Sequence, residues 1–253
     1  MKKILMLIGA VAMSGVTFAQ EYKVSRNSGR LEINLGKVLV EGHSGNDIIF
    51  TSEDFNESRD KRAEGLKAVN ALGLDDNTGL GINVAESENT VVVRQLSGTR
   101  NPRIRILVPA GVIVSFQHDS HYGGTAKFKD MQNEIEVAAQ YNNVELENIT
   151  GPMTVKSVYG HVEANFSSTI KSPISIVSVY GYVDISIPQS TKANLRMDSS
   201  YGEIFVAPEL KIEVSSEGNM VRYNDRVQGK LNGGGPLSLN LSSNYGKIYL
   251  RKK

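Results

Sequence analysis

Few residues in this chain are placed to do chemistry. His118-Asp119-Ser120-His121 is the one short stretch that brings imidazoles, a carboxylate and a hydroxyl together. Such a group could hold a metal ion or, as a Ser-His-Asp set, activate a nucleophile. On a strand, however, residues three apart face opposite sides, so His118 and His121 cannot easily grip one ion. The same geometry separates the members of a triad, and no Gly-x-Ser-x-Gly turn occurs. His43 and His161 stand alone.

A pair of carboxylates flanking a groove could instead cleave glycosidic bonds. Glu145, Glu163, Asp184 and Glu203 are the candidates, recurring at roughly the period of a repeat described below. A row of solvated charges would give the same spacing. Tyr182, Phe205 and Tyr249 put rings where polar residues are otherwise usual, and rings can stack on sugars or anchor protein contacts. The expectation is therefore no catalytic residue, no metal ligand and no cofactor, with the binding residues left unassigned.

The elements that must carry these side chains follow from the rest of the sequence. Lys2 and Lys3 precede an apolar run from Ile4 to about Val16, and Thr17-Phe18-Ala19 supplies the small residues of a cleavage site. This pattern predicts a signal peptide over 1–19, cut before Gln20. The run is shorter than the roughly 20 apolar residues of a membrane-spanning helix. There is no cysteine, so disulfides and thiolate metal sites are excluded. The expected setting is export from a Gram-negative bacterium, to the periplasm, the outer surface or the medium. With 28 basic against 27 acidic residues, the net charge is +1 and no basic stripe suited to a phosphate backbone exists. Nucleic acid is not an expected partner. An envelope protein or glycan is, and self-association through open strand edges is the further possibility.

From Arg30 onward apolar and polar residues alternate with period two, as in half-buried strands. Residues 53–78 interrupt this with crowded charges and then Leu66, Val69 and Leu72 at helical spacing, which predicts a loop with a short helix. The expected organisation is N-terminal β coils over 20–111, with this insertion, running on into a repeat over 112–253. In that repeat Tyr122, Tyr141, Tyr159, Tyr180, Tyr201, Tyr223 and Tyr245 are spaced by 19, 18, 21, 21, 22 and 22 residues. Each precedes Gly or Asn, residues that tolerate a left-handed backbone. A small residue usually stands two places earlier: Ser120, Ala139, Ser157, Ser178, Ser199 or Ser243, with Val221 the exception. Apolar residues sit four and six before the tyrosine, and three and five after it. At Tyr122 and Tyr223 the downstream pair moves by one, as a bulge would allow.

Strand, small residue, Tyr-Gly corner, strand is the unit. One unit of about twenty residues buries too few side chains to stand alone, so units must stack. The predicted fold is an all-β, single-stranded β-solenoid with one corner per coil and ladders of Tyr over Tyr and Ser over Ser. An antiparallel β-sandwich is the alternative.

Val108-Pro109 followed by Val112-x-Val114, then the recurring Gly-polar-apolar units, resembles a bacterial putative-adhesin family of unknown function with β-strand repeats. Asp76-Asn77-Thr78-Gly79-Leu80 before a strand adds to the likeness, which runs over about 30–253. The resemblance implies a β-solenoid-like fold, a cell-envelope setting and no defined catalytic residues. It points to a non-enzymatic scaffold offering a repetitive β surface. A polysaccharide-active solenoid enzyme and a self-assembling structural protein are the alternatives. Members often carry a membrane helix or a lipid anchor, and neither is evident in this sequence.

Overall fold

The computed structural model describes residues 20–52, 62, 65–66, 70–71, 73–96, 102–215 and 225–253. The expected signal peptide, most of the charged insertion with Val69 and Leu72, and the Val221-Tyr223-Asn224 corner lie outside them.

Twenty-one strands are described. The first seven are β1 (Glu21–Val24), β2 (Gly29–Asn34), β3 (Val38–His43), β4 (Ile48–Ser52), β5 (Ile82–Ser87), β6 (Thr90–Gln95) and β7 (Ile104–Pro109). The next seven are β8 (Val112–His118), β9 (Thr125–Lys129), β10 (Ile135–Ala139), β11 (Asn143–Ile149), β12 (Met153–Ser157), β13 (Val162–Phe166) and β14 (Ile174–Ser178). The last seven are β15 (Val183–Ile187), β16 (Ala193–Ser199), β17 (Ile204–Val206), β18 (Ile212–Val214), β19 (Asp225–Leu231), β20 (Leu237–Ser243) and β21 (Ile248–Lys252).

They form two large sheets that face each other. One runs β1-β4-β7-β3-β9-β11-β13-β15-β21-β17, the other β18-β19-β16-β20-β14-β12-β10-β8-β2-β6-β5. Each coil of the solenoid gives one strand to each sheet. In chain order the coils are β2/β3, β6/β7, β8/β9, β10/β11, β12/β13, β14/β15, β16/β17 and β20/β21, here coils 1 to 8. Neighbouring coils pair in parallel, for instance Val137 beside Val155 and Val155 beside Ile176. Among the described residues antiparallel pairs occur only at the ends, where β1 and β4, β5, β19 and β18 extend the stack.

The predicted solenoid is thus present, with two differences. Each coil has two corners, because it crosses from one sheet to the other and back. The stack also departs from chain order: in space the coils run 2-1-3-4-5-6-8-7. Coil 2 lies outside coil 1, and coil 8 is inserted between coils 6 and 7.

The apolar positions around Tyr141, Tyr159, Tyr180, Tyr201 and Tyr245 point between the sheets, as period-two alternation requires. Ile135, Met153, Ile174, Leu239 and Leu195 form one buried row, and Val144, Val162, Val183 and Ile248 face them from the other sheet. In coil 7, at the end of the stack, Ile204 and Val206 are only half-buried. Phe116 and Phe128, edge to face at 6.3 Å, thicken the core of coil 3.

Candidate binding surface

The Tyr-Gly corners lie along one edge of the solenoid, where the chain turns from β10, β12, β14, β20 and β16 into the facing sheet. Two buried devices set their shape. The hydroxyls of Ser157, Ser178, Ser243 and Ser199 each accept a hydrogen bond from the corner glycine three residues on, at 2.9–3.1 Å. Each also donates to the corner carbonyl of the next coil: Asn142, Gly160, Gly181 and Gly246 respectively, at 2.8–3.2 Å. One hydroxyl therefore closes its own turn and fastens it to its neighbour. Only a small side chain fits there, which explains the serine two places before each of these tyrosines.

The glycines serve a different purpose from the one the sequence suggested. Gly160, Gly181, Gly246 and Gly202 do not occupy the left-handed region. A Cβ on each would instead stand 1.9–2.3 Å from the corner carbonyl oxygen of the next coil. They are glycines because the coils are too close for anything larger. Asn142 shows the converse, and it is not left-handed either. Beneath it coil 3 bulges away, and the side chain fills the gap, donating to the Gly36 carbonyl at 2.8 Å and meeting His118 Nδ1 at 2.7 Å.

With the backbone drawn in, the tyrosine rings project outward and lie on one another. Tyr141, Tyr159, Tyr180, Tyr245 and Tyr201 make a ladder with centroid steps of 4.9–5.0 Å and interplanar angles of 4–14°. Their exposures are 41, 54, 51, 52 and 76%. The row before them, Gln140, Val158, Val179, Asn244 and Ser200, continues the parallel pairing and carries no charge. Exposed rings gathered in one row, rather than scattered singly, are a feature of contact sites.

Tyr122 does not join the ladder. His118, not Ser120, pairs beside Ala139, and the connection to Thr125 is longer than in coils 4 to 8. The expected one-residue bulge is thus an enlarged corner. Ser120 only accepts from the Tyr122 amide at 3.3 Å, and the Tyr122 ring rests on His121 at 4.0 Å.

A second aromatic stripe adjoins the ladder on the outer face of the β11-β13-β15-β21-β17 sheet. His161 and Tyr182 stack at 4.6 Å, Tyr249 and Phe205 at 5.4 Å, and Tyr182 meets Tyr249 edge-on at 6.3 Å. Lys247 lies over Phe205 and Arg251 over Tyr249. The Tyr182 phenol donates to Glu163, which, with partial burial, pushes its pKa up to about 12.

Of the four candidate carboxylates, three come together: Glu145, Glu163 and Asp184 are neighbours in register beside a shallow depression. Glu203 is elsewhere, paired with Lys247 at 2.9 Å. It stands two residues after its tyrosine, whereas the others stand four after theirs, so the offset was readable in advance. Each of the three is engaged, Glu145 by Lys127 at 3.6 Å, Glu163 by Tyr182, and Asp184 by both ends of the Arg251 fork at 2.6 and 2.8 Å. His118 and His121 are likewise apart in role: one fills the coil 3 corner, the other lies exposed under Tyr122. His43 fastens the turn before β4 through the Asp47 carbonyl at 2.8 Å. Among the described residues no three His, Asp or Glu side chains group so as to hold a metal ion, and no helix is long and apolar enough to cross a membrane.

These features define a two-sheet β-solenoid of stacked parallel coils with an aromatic edge. The chain belongs to the Toastrack DUF4097 family, whose model matches residues 8–230. A crystal structure described as a "putative cell adhesion protein" from Clostridium sporogenes is similar with a TM-score of 0.49 and 13% identity, covering 93% of this chain and 100% of that one. A "putative adhesin" from Bacteroides fragilis gives a TM-score of 0.36 and 12% identity, covering 92% and 96%. No curated protein matches the chain.

Proposed function

We propose that this protein is a non-enzymatic, adhesin-like scaffold that acts after export, in the envelope or at the surface of a Gram-negative bacterium. Its work is contact: the solenoid holds a rigid row of aromatic side chains against a protein or glycan. The observation that carries this reading is the tyrosine ladder. Tyrosine gives a large contact area with little side-chain freedom to lose, and interface centres are rich in it and poor in charge. The uncharged strip along the ladder has that composition, and it sits on a backbone fixed by buried serines rather than on a mobile loop. Retention of the purified protein on envelope fractions tests the reading. Wild type is expected to be retained, and the Tyr159→Ala/Tyr180→Ala double variant to be lost to the wash while keeping its far-UV circular dichroism. Equal retention of the two would remove the ladder as the contact surface.

A further inference from the structure

The two ends of the stack are finished differently. At the coil 2 end the terminal strands and the loop before β5 close over the core, and Val24, Ile48, Phe50, Leu80, Ile82 and Val84 are all buried. The outermost strands there, β1 and β5, carry Glu21, Lys23 and Glu86, charges of the kind that discourage further pairing. At the coil 7 end Ile204, Val206, Ile212 and Val227 are only half-buried, and Val214 is 61% exposed. The strand that ends one sheet here, β17, is Ile204-Phe205-Val206 and carries no charge. Among the described residues no strand pairs with the outer edge of β17 or of β18. Solenoids need a polar cap over the last coil, and this end shows apolar side chains instead.

The sheets also end at different heights. Beyond coil 7 one sheet continues through β19 and β18, while the facing sheet stops at β17. The result is a step two strands deep, and its inner wall holds Val227, Ile212 and Val214. We infer that a second copy of this chain fills the step, related by a two-fold axis parallel to the strands. Rotation about that axis exchanges the two sheets, so the two extra strands of each copy occupy the height that the other lacks. Strand directions agree: β18 runs with β16 and against β17, so β17 meets the partner's β18 antiparallel. Both open edges gain hydrogen bonds, with Ile204 beside the partner's Val214 and Val206 beside the partner's Ile212, all on the inner face. The occupant is a second copy because the step is complementary to itself. Since the coil 2 end is sealed, the assembly closes at two chains instead of growing into a filament. The same rotation leaves the tyrosine edges of both copies on one side of the dimer.

Analytical sedimentation across a concentration series tests the inference. Wild type is expected to pass from one chain to two and to stop there. Val214→Lys puts a charge on the inner wall at a side chain already exposed in the single copy, and should stay monomeric with unchanged far-UV circular dichroism. The chain has no cysteine, so introduced thiols report the junction alone. Phe205, on the outer face, falls beside the partner's Glu213. Facing Cα atoms of antiparallel strands lie about 4.5–5.5 Å apart, within reach of a disulfide. The Phe205→Cys/Glu213→Cys variant should therefore become a covalent dimer when oxidised glutathione is added, and Phe205→Cys alone should not. Wild type that is monomeric at every concentration, or Val214→Lys that still dimerises, overturns the inference. So does growth beyond two chains, which a sealed coil 2 end forbids. Linkage through Phe205→Cys alone would set β17 against β17 and overturn it as well.

Discussion

Coils 4 to 8 and coils 1 to 3 share the same two sheets and the same buried rows, yet they turn their corners differently. In coils 5 to 8 a buried serine ties each corner to the next, a glycine lets the backbones touch, and a tyrosine is pushed outward onto its neighbour. Coil 4 joins this ladder with Ala139 and Asn142 in place of the serine and glycine. In coil 3 the corner is longer, its serine reaches only its own turn, and Tyr122 packs on His121 instead. In coil 1 the Gln95 side chain from coil 2 takes the amide of Gly36. The core therefore does not need the motif. What the motif adds is constant corner geometry, and constant geometry is what aligns the rings into a surface.

That contrast can be broken most forcefully at a glycine. Gly181→Ala would put a Cβ 2.3 Å from the Gly160 oxygen, with backbone that cannot yield. A loss of about 3 kcal/mol is expected, read as a lower midpoint in urea. At Gly124, in the coil 3 corner, the three atoms nearest an added Cβ all belong to the Lys37 side chain, which can turn aside, and Gly124→Ala should cost less than about 1 kcal/mol. Equal costs would mean that the corners are not different.

Next comes the serine. Ser178→Ala strands the Gly181 amide and the Gly160 carbonyl in a buried site, at about 1–3 kcal/mol, whereas Ser120→Ala should fall within about 0.5 kcal/mol of wild type. Thermal unfolding of the pair measures both. Smaller again is the ring: Tyr180→Ala removes two stacking contacts, at about 1 kcal/mol for exposed rings.

The smallest effect sharpens the boundary between the two regions. Arg30 of coil 1 reaches across coil 3 to grip Glu136 of coil 4 at 2.6 and 3.1 Å. That hydrogen-bonded guanidinium holds the Glu136 carboxyl below its ordinary value of 4.5. A carboxylate lowered in the folded state stabilises above its unfolded value, and the contribution is lost as pH falls through the lower folded one. Both groups are partly exposed, so the pair is worth about 0.5 kcal/mol. Arg30→Met should therefore lower the midpoint slightly at pH 7 and match wild type once the pH is well below 4.5. A gap that persists in acid would point to packing rather than charge.

Much of this was readable from the chain. The residues four and six before each tyrosine and three and five after it fall where period two puts them, because a parallel in-register stack repeats one environment at every coil. The ladders of tyrosine and serine followed from the same repeat. The use of each ladder did not. A ladder of Tyr over Tyr was legible, but not that the corner turns its rings outward, and no pattern of polarity marks a residue whose faces are buried by its own kind. The glycines looked like bearers of an unusual dihedral angle, whereas closeness between coils, a long-range property, selects them. Strand order was the least legible feature. Leu239 and Leu241 of coil 8 fit equally well on coil 7 or coil 6, since every coil offers the same apolar rows.

Coil 8 occupies the gap between coils 6 and 7, pairing in parallel with both through β20. Coils 6 and 7 are made earlier but are joined only through coil 8, so contacts among consecutive coils do not complete this end of the stack. A solenoid that simply winds can stop at any coil and keep what it has built. Here closure is contingent on one late segment, and Tyr180 and Tyr201 share a ladder only through Tyr245. The contact surface consequently goes from three rings to its full length in one step, and a chain cut before β20 should present a row of three rings rather than five.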